Sequence, residues 1–204
     1  KGEGTEGDAE AAAISSKERA RDIEARRAAA LASARLPIKQ YRKQEQPGCI
    51  SSVELRDYQI EGVNFMLRMY HSGMSCILAD EMGLGKTLQT ITFLGTLKVD
   101  LKCKGPHLVV VPMSVLSNWM SEFKRFCPAL NVVRYHSSDL SEKNRLRAEV
   151  LTGIPTGKVD VVVTTYEMVV SEGKNTGILS TRYRMLILDE AHKVKNDSTQ
   201  VSNA

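Results

Sequence analysis

The chain has 204 residues, of which 42% are hydrophobic and 25% charged, a composition that suits a folded domain with a full core and excludes disorder throughout. No apolar run approaches the roughly 18 residues that a membrane span needs, so we expect no membrane partner. The net charge of +4 permits a nucleic-acid partner without indicating one by itself.

The ends and the cysteines suggest a piece of an intracellular protein. The first residue is Lys1 rather than Met, and residues 197–204 carry no signal that ends a helix or strand, so we expect a longer protein. Residues 26–34 mimic a secretory leader, but their apolar part is almost entirely alanine, and we reject secretion. The four cysteines form no C-x-x-C pair, which predicts reduced thiols.

The first 49 residues are expected to lie apart from the folded domain. Residues 1–14 are rich in glycine and acidic residues, which predicts disorder. Residues 15–49 form a basic arm, in which Ser15 and Glu18 make a capping box for a helix that Pro37 ends. Two interpretations of this arm stay open: a solvated helix and linker, or a basic segment that regulates the protein or contacts nucleic acid.

Residues 50–204 have the composition of a folded domain in which strands and helices alternate. Apolar periodicity predicts helices over residues 56–70, 86–97, 115–126 and 140–151. Short apolar runs predict strands over residues 75–79, 108–111, 132–135, 159–163 and 185–188. Since this alternation is typical of a parallel sheet with helices on both faces, the predicted fold class is α/β.

A glycine-rich loop between the first predicted strand and the next helix indicates a phosphate site. Residues 80–87 read Asp-Glu-Met-Gly-Leu-Gly-Lys-Thr, and in this position the loop amides and the helix N-terminus converge on a phosphate. Gly85 lets the backbone approach, Lys86 neutralises the terminal phosphates, and Thr87 can hold Mg²⁺. Asp80 stands where the first glycine of the general P-loop pattern is expected.

A pair of acidic residues closes the last predicted strand. Asp189 and Glu190 follow the apolar run 185–188, where a doubly wound sheet presents ligand-binding groups. Asp189 is predicted to orient the magnesium shell, and Glu190 to polarise the attacking water. Acidic residues at this point could also be ordinary turn formers, but the two motifs in this order favour an ATP site.

Together these residues resemble the Swi/Snf-type ATPases of the helicase-like superfamily two. The resemblance rests on the string 80–87, on Asp-Glu-Ala-His at 189–192 and on Lys-Asn at 195–196, and it covers about residues 53–204. The sequences of residues 105–112, 118–125 and 166–168 look closest to those of the imitation-switch chromatin remodellers. The lymphoid-specific and chromodomain branches of the family share much of these sequences.

The resemblance implies a RecA-like P-loop lobe that binds ATP and Mg²⁺. Segment 55–59 resembles the family's adenine-reading segment, with Gln59 as the expected purine contact. The residues then expected to bind the nucleotide are Arg56, Gln59, Asp80, Gly83, Leu84, Gly85, Lys86 and Thr87. Thr87 and Asp189 are the expected magnesium residues, and Glu190 and Lys86 the expected catalytic residues.

Two further segments, 111–119 and 164–167, resemble those by which the first motor lobe grips a DNA strand. Ser114, Asn118 and Thr165 are the candidate contacts, since hydroxyls and amides position a phosphate backbone without reading sequence. Trp119 lies on an apolar stripe of its predicted helix, which favours core packing as its main role.

The implied whole protein is an ATP-dependent DNA translocase that slides nucleosomes in the nucleus. Its implied partners are duplex DNA, the histones of nucleosomes, a second motor lobe and accessory subunits. The family's strand ending in Thr-Gly-Thr-Pro and its second lobe with arginine fingers are not in this sequence. We therefore expect an incomplete sheet, and 204 residues that alone bind nucleotide weakly with almost no DNA-stimulated hydrolysis.

Two alternatives remain. The Asp-Glu-Ala-His box alone would permit a strand-separating helicase, against which the loop at 82–84 and Lys195-Asn196 argue. A nucleotide-switched binding module that never hydrolyses ATP would be expected to lack Glu190, which this sequence retains.

Overall fold

The computed structural model describes residues 39–42, 45–172 and 178–194. The segment predicted to be disordered, most of the basic arm and Lys195-Asn196 lie outside these ranges. Within them, no helix is long and apolar enough to cross a membrane.

From Lys86 onward, helices and strands alternate along the described chain, as the sequence predicts. The α-helices are α1 (Asp57–His71), α2 (Lys86–Val99), α3 (Leu116–Phe126), α4 (Leu140–Gly153) and α5 (Tyr166–Glu172). The strands are β1 (His107–Val111), β2 (Val132–Tyr135), β3 (Val161–Thr165) and β4 (Met185–Leu188). Two short 3₁₀ turns, Met113–Val115 and Ala191–Val194, follow β1 and β4.

The four strands form one parallel sheet in the order β2-β3-β1-β4. β1 pairs with β3 on one side, where His107 lies opposite Val161, and with β4 on the other, where His107 lies opposite Met185. The carboxyl ends of these strands therefore meet at one edge of the sheet. The predicted parallel sheet is confirmed, and β4 pairs with no second strand in the described part of the chain.

Burial explains why the central strands are continuous apolar runs. Every residue of β1 and β3 is buried, as expected for parallel strands covered on both faces. On one face, Leu108 and Val162 belong to a buried cluster with Val150 of α4 and Met168 of α5. Helix α3 also contacts β2 and β3.

Helix α2, which follows the glycine loop, is buried along most of its length from Leu88 to Leu97. Its buried threonines are satisfied within the helix, since Thr92 donates to Leu88 O at 2.7 Å and Thr96 to Thr92 O at 2.9 Å. At Gly95 a Cβ atom would lie 2.8 and 2.9 Å from the free thiols of Cys127 and Cys49. Only glycine permits so close an approach.

The prediction of a strand over residues 75–79 is wrong. These residues form no strand, and Ile77 is 84% exposed. An apolar run becomes a strand only when a neighbour satisfies its backbone groups, and the described sheet consists of β1 to β4 alone. The strand predicted over 159–163 begins two residues later, as β3 (Val161–Thr165). At its start the amides of Asp160 and Val161 both donate to Asn131 O.

The described residues divide into two compact units. One contains residues 39–40 and 64–79, including the second half of α1. There α1 ends in a Schellman motif, in which Gly73 has φ +65° and Met74 N donates to Met69 O at 2.9 Å. The other unit contains residues 41–63 and the described residues from Asp80 onward, with the whole sheet.

His107 makes the stability of the sheet depend on pH. It is 1% exposed at the start of β1, and burial, with the nearby charge of Arg184, lowers its pKa to about 4. An unfolded histidine titrates near 6.5, so this contribution to stability is complete above pH 6.5 and is lost as the pH falls towards 4. By pH 5 the loss amounts to about 2 kcal/mol.

We therefore expect His107→Gln to remove this dependence. Hydrogen exchange of β1 and β3 amides, measured at pH 7 and pH 5 in both proteins, gives the free energy of opening. The stability of the wild type relative to the variant should fall by about 2 kcal/mol between the two pH values. If the difference in stability between the two proteins is the same at both pH values, a buried, neutral His107 is contradicted.

Candidate nucleotide-binding site

The glycine loop has the backbone conformation that a phosphate cradle needs. Gly83 and Gly85 have φ values of +85° and +77°, in the left-handed region that other residues rarely adopt. Gly85 directly precedes α2, and no side chain caps this helix. The amides of its first turn are therefore available to an anion, as at the phosphate-binding ends of other helices.

Lys86 begins α2 and its side chain curls back over the loop. Its Nζ donates to Asp80 O at 2.8 Å and to Glu81 O at 2.9 Å, so the ammonium is held beside the uncapped helix end. A positive charge, left-handed glycines and free amides thus converge on one point. This combination can bind a phosphate group.

Gln59 of α1 binds the glycine loop through its side-chain amide. Its Oε1 accepts from Arg56 N at 3.0 Å, and its Nε2 donates to Leu84 O at 3.2 Å. A Cβ on Gly85 would lie 2.5 Å from that Nε2, so glycine is favoured here by its φ, and a side chain would displace the Gln59 amide. The structure thus brings Gln59 to the loop, while the Arg56 side chain is exposed.

Asp80, at the position of the missing first glycine, is bound by a residue that the sequence did not single out. The buried Gln89 donates from Nε2 to Asp80 Oδ2 at 2.8 Å. The same group lies 3.5 Å from Leu84 O. Asp80 and Gln89 therefore join the start of the loop to the second turn of α2.

The second half of the site is Asp189, directly after β4. Its amide donates to Val110 O at 2.9 Å, which extends the pairing of β4 with β1. Its carbonyl accepts from the Tyr166 hydroxyl at 2.6 Å. Its Oδ2 accepts from Trp119 Nε1 at 2.8 Å and its Oδ1 from the amide of Glu190 at 3.0 Å.

Tyr166 stays protonated in this position. Burial, followed by the charges of Asp189 and Glu190, raises its pKa to about 12. The hydroxyl therefore remains a donor to Asp189 O throughout the neutral range.

Glu190 has an unusual backbone conformation. Its φ is +54°, which costs a non-glycine residue free energy and is often found at functional sites. Its side chain is half exposed, and Oε2 lies 3.2 Å from Nδ1 of His192. The carboxylate thus faces solvent, where it can reach a water molecule.

No hydrogen bond or ion pair joins residues 80–87 to Asp189 or Glu190 in the described part of the chain. The chemistry of the donor set nevertheless fits magnesium bound together with a nucleotide. Such ions take one or two protein oxygens and complete their shell with phosphate oxygens and water. Thr87 offers a hydroxyl and Asp189 a carboxylate, and no cluster of three or more metal-binding side chains occurs among the described residues.

The candidate DNA contacts differ in accessibility. Ser114 and Asn118 are exposed after β1, and Asn118 donates to Glu122 at 2.8 Å. Thr165 is fully buried, and its hydroxyl lies 3.3 Å from both His136 Nδ1 and the amide of Met168. In this conformation a phosphate can reach Ser114 and Asn118 but not Thr165.

Trp119 packs in the core, as predicted, but it also contacts the site. It is 3% exposed and its ring lies 5.8 Å from that of Phe123. A buried indole N–H requires an acceptor, so the sequence did carry a signal for a polar contact. Which acceptor the N–H binds depends on how α3 packs, and no local sequence pattern identifies Asp189 as that acceptor.

Comparison with solved structures gives the class of this lobe. The ATPase core of the SWI2/SNF2 protein of Sulfolobus solfataricus, in complex with double-stranded DNA, matches with a TM-score of 0.65 and 31% identity. The match covers 79% of this chain and 31% of that chain. A second structure, of the Sulfolobus solfataricus SWI2/SNF2 ATPase core domain, matches with a TM-score of 0.58 and covers 83% of this chain and 32% of that chain. The fold is therefore that of a RecA-like P-loop ATPase lobe.

Curated proteins and a family model narrow the class further. The ISWI chromatin-remodeling complex ATPase CHR17 of Arabidopsis thaliana is 46% identical over 157 residues, which are 77% of this chain and 14% of that protein. The human SWI/SNF-related matrix-associated actin-dependent regulator of chromatin subfamily A member 1 is 44% identical over 156 residues, 76% of this chain and 14% of that protein. The model of the SNF2-related domain matches residues 58–204, and the chain belongs to this family. The similarity to imitation-switch ATPases that the sequence predicted is confirmed.

Gly85 and Gly83 provide a matched pair for testing the loop. Alanine at either position adopts φ > 0 at a cost of roughly 1–2 kcal/mol, but only Gly85→Ala also displaces Gln59. We expect hydrogen exchange of residues 84–89, measured without nucleotide, to accelerate about tenfold more in Gly85→Ala than in Gly83→Ala. Equal acceleration in the two variants would show that the contact with Gln59 does not hold the loop.

Proposed function

We propose that this chain is the ATP-binding first lobe of an ATP-dependent DNA translocase that remodels chromatin by sliding nucleosomes. The observation that carries the proposal is the loop of left-handed glycines that holds Lys86 at an uncapped helix end, in a member of the SNF2-related family. The chain spans 14% of the length of the curated relatives named above, so the activity proposed is that of the complete protein.

The loop residues bind the phosphates in this proposal. The amides at the start of α2 and the ammonium of Lys86 contact phosphate oxygens, after Lys86 gives up its bonds to the loop carbonyls. Gly83, Leu84 and Gly85 shape the cradle. Gln59 and Arg56 form the adenine side, where the unused N–H of Gln59 and the exposed guanidinium of Arg56 remain available.

The catalytic roles follow from position. Thr87 and Asp189 are the residues that would hold Mg²⁺, which when bound neutralises charge on the phosphates. Glu190 takes a proton from the attacking water, a role for which its exposed carboxylate at the edge of the sheet is suited.

The partners proposed for the complete protein follow the relatives. Duplex DNA is supported by the likeness to an ATPase core solved with double-stranded DNA. Nucleosomes, accessory subunits and a nuclear location are supported by the similarity to chromatin-remodelling ATPases. A second motor lobe would supply arginines to the transferred phosphoryl group. On this lobe, Ser114 and Asn118 are the accessible candidates for the DNA backbone.

Substitution of Glu190 tests the reaction. In the complete protein, Glu190→Gln should lower DNA-stimulated phosphate release by roughly 10²- to 10⁴-fold while ATP still binds, because the amide cannot accept the proton. Glu149→Gln is the control, since Glu149 lies exposed on α4 and pairs with Arg145 alone among the described residues. ATP turnover that survives in Glu190→Gln would refute Glu190 as the proposed base. A wild-type protein without ATP turnover would refute the proposed ATPase activity itself.

A further inference from the structure

The side chain of Asp189 is held more firmly than the sheet alone requires. Its main chain is already bound at both polar groups, the amide to Val110 O and the carbonyl to the Tyr166 hydroxyl. The remaining freedom is rotation of the carboxylate about its side-chain bonds. The bond from Trp119 Nε1 to Oδ2, at 2.8 Å, is the only one from another side chain among the described residues that opposes this rotation.

Trp119 is itself a rigid donor. Its ring is 3% exposed and packs against Phe123 on the buried stripe of α3. An indole has a single N–H at a fixed point of a planar ring, so a buried tryptophan fixes the direction of its bond as well as its length. A bond from a neutral donor to a carboxylate is also stronger than one between two neutral groups.

We propose that Trp119 is a positioning residue for the metal site, which orients Asp189 towards Mg²⁺ and thereby joins α3 to the nucleotide. The inference rests on the proposed function, because it assumes that Asp189 binds the magnesium shell. Groups that orient metal-binding side chains in this way commonly change metal affinity by 10- to 100-fold when they are replaced. Trp119 does not touch the nucleotide, and acts only through Asp189.

Two replacements separate the hydrogen bond from packing. Trp119→Phe removes the N–H and part of the ring. Benzothienylalanine at position 119 keeps both rings and replaces the N–H with sulfur, so it removes the bond alone. Phe126→Leu is the control, because Phe126 lies on the same buried stripe and has no hydrogen-bond donor to offer Asp189.

The measurement is a Mg²⁺ titration of the complete protein with a fluorescent, non-hydrolysable ATP analogue. In both Trp119 variants the Mg²⁺ concentration at half-saturation should rise about tenfold, while binding of the analogue in EDTA stays unchanged. Phe126→Leu should stay within twofold of the wild type. A structural defect alone would weaken binding in EDTA as well.

The outcomes distinguish this inference from the proposed function. If the wild type requires Mg²⁺ and both Trp119 variants require the same concentration, the inference is wrong and the proposed function stands. A rise in Trp119→Phe without one in the benzothienylalanine protein assigns the effect to packing and overturns the inference too. A wild type whose binding of the analogue ignores Mg²⁺ removes the proposed metal site and this inference with it.

Discussion

Pairing through β1 determines where the candidate catalytic groups lie. β1 is buried between β3 and β4, and because all three run in parallel, the residues that follow them emerge at one edge of the sheet. The bond from Asp189 N to Val110 O continues this pairing one residue past β4. Asp189 thus has its backbone placed by the sheet, and the helices after β1 and β3 supply Trp119 and Tyr166 to hold it.

The proposed site contains several departures from ordinary backbone rules. Gly83, Gly85 and Glu190 all have positive φ, and α2 begins without a side-chain cap. Each of these features costs stability, and each exposes a group that a nucleotide would use: loop amides, helix amides or a carboxylate. The compensation comes from nearby, where Gln59 and Gln89 brace the loop.

Features set by local sequence could be predicted, and features set by distant pairing could not. The bounds of β2 and β4, and the loop before α2, follow from apolar runs and glycines that lie next to each other in the chain. Residues 75–79 look the same locally but pair with no strand in the described part of the chain. Likewise, the burial of Thr165 and the bond between Trp119 and Asp189 depend on how separate elements pack, which no short pattern records.

The central claim is that residues 83–87 bind the phosphates of ATP while Asp189 faces the accompanying magnesium. A structure of the complete protein with Mg²⁺ and a non-hydrolysable ATP analogue tests it most directly. The account predicts terminal phosphate oxygens within hydrogen-bonding distance of Lys86 Nζ and the first amides of α2, with the metal between Thr87 and Asp189. A nucleotide bound away from this loop, or an Asp189 carboxylate turned away from the metal, would contradict it.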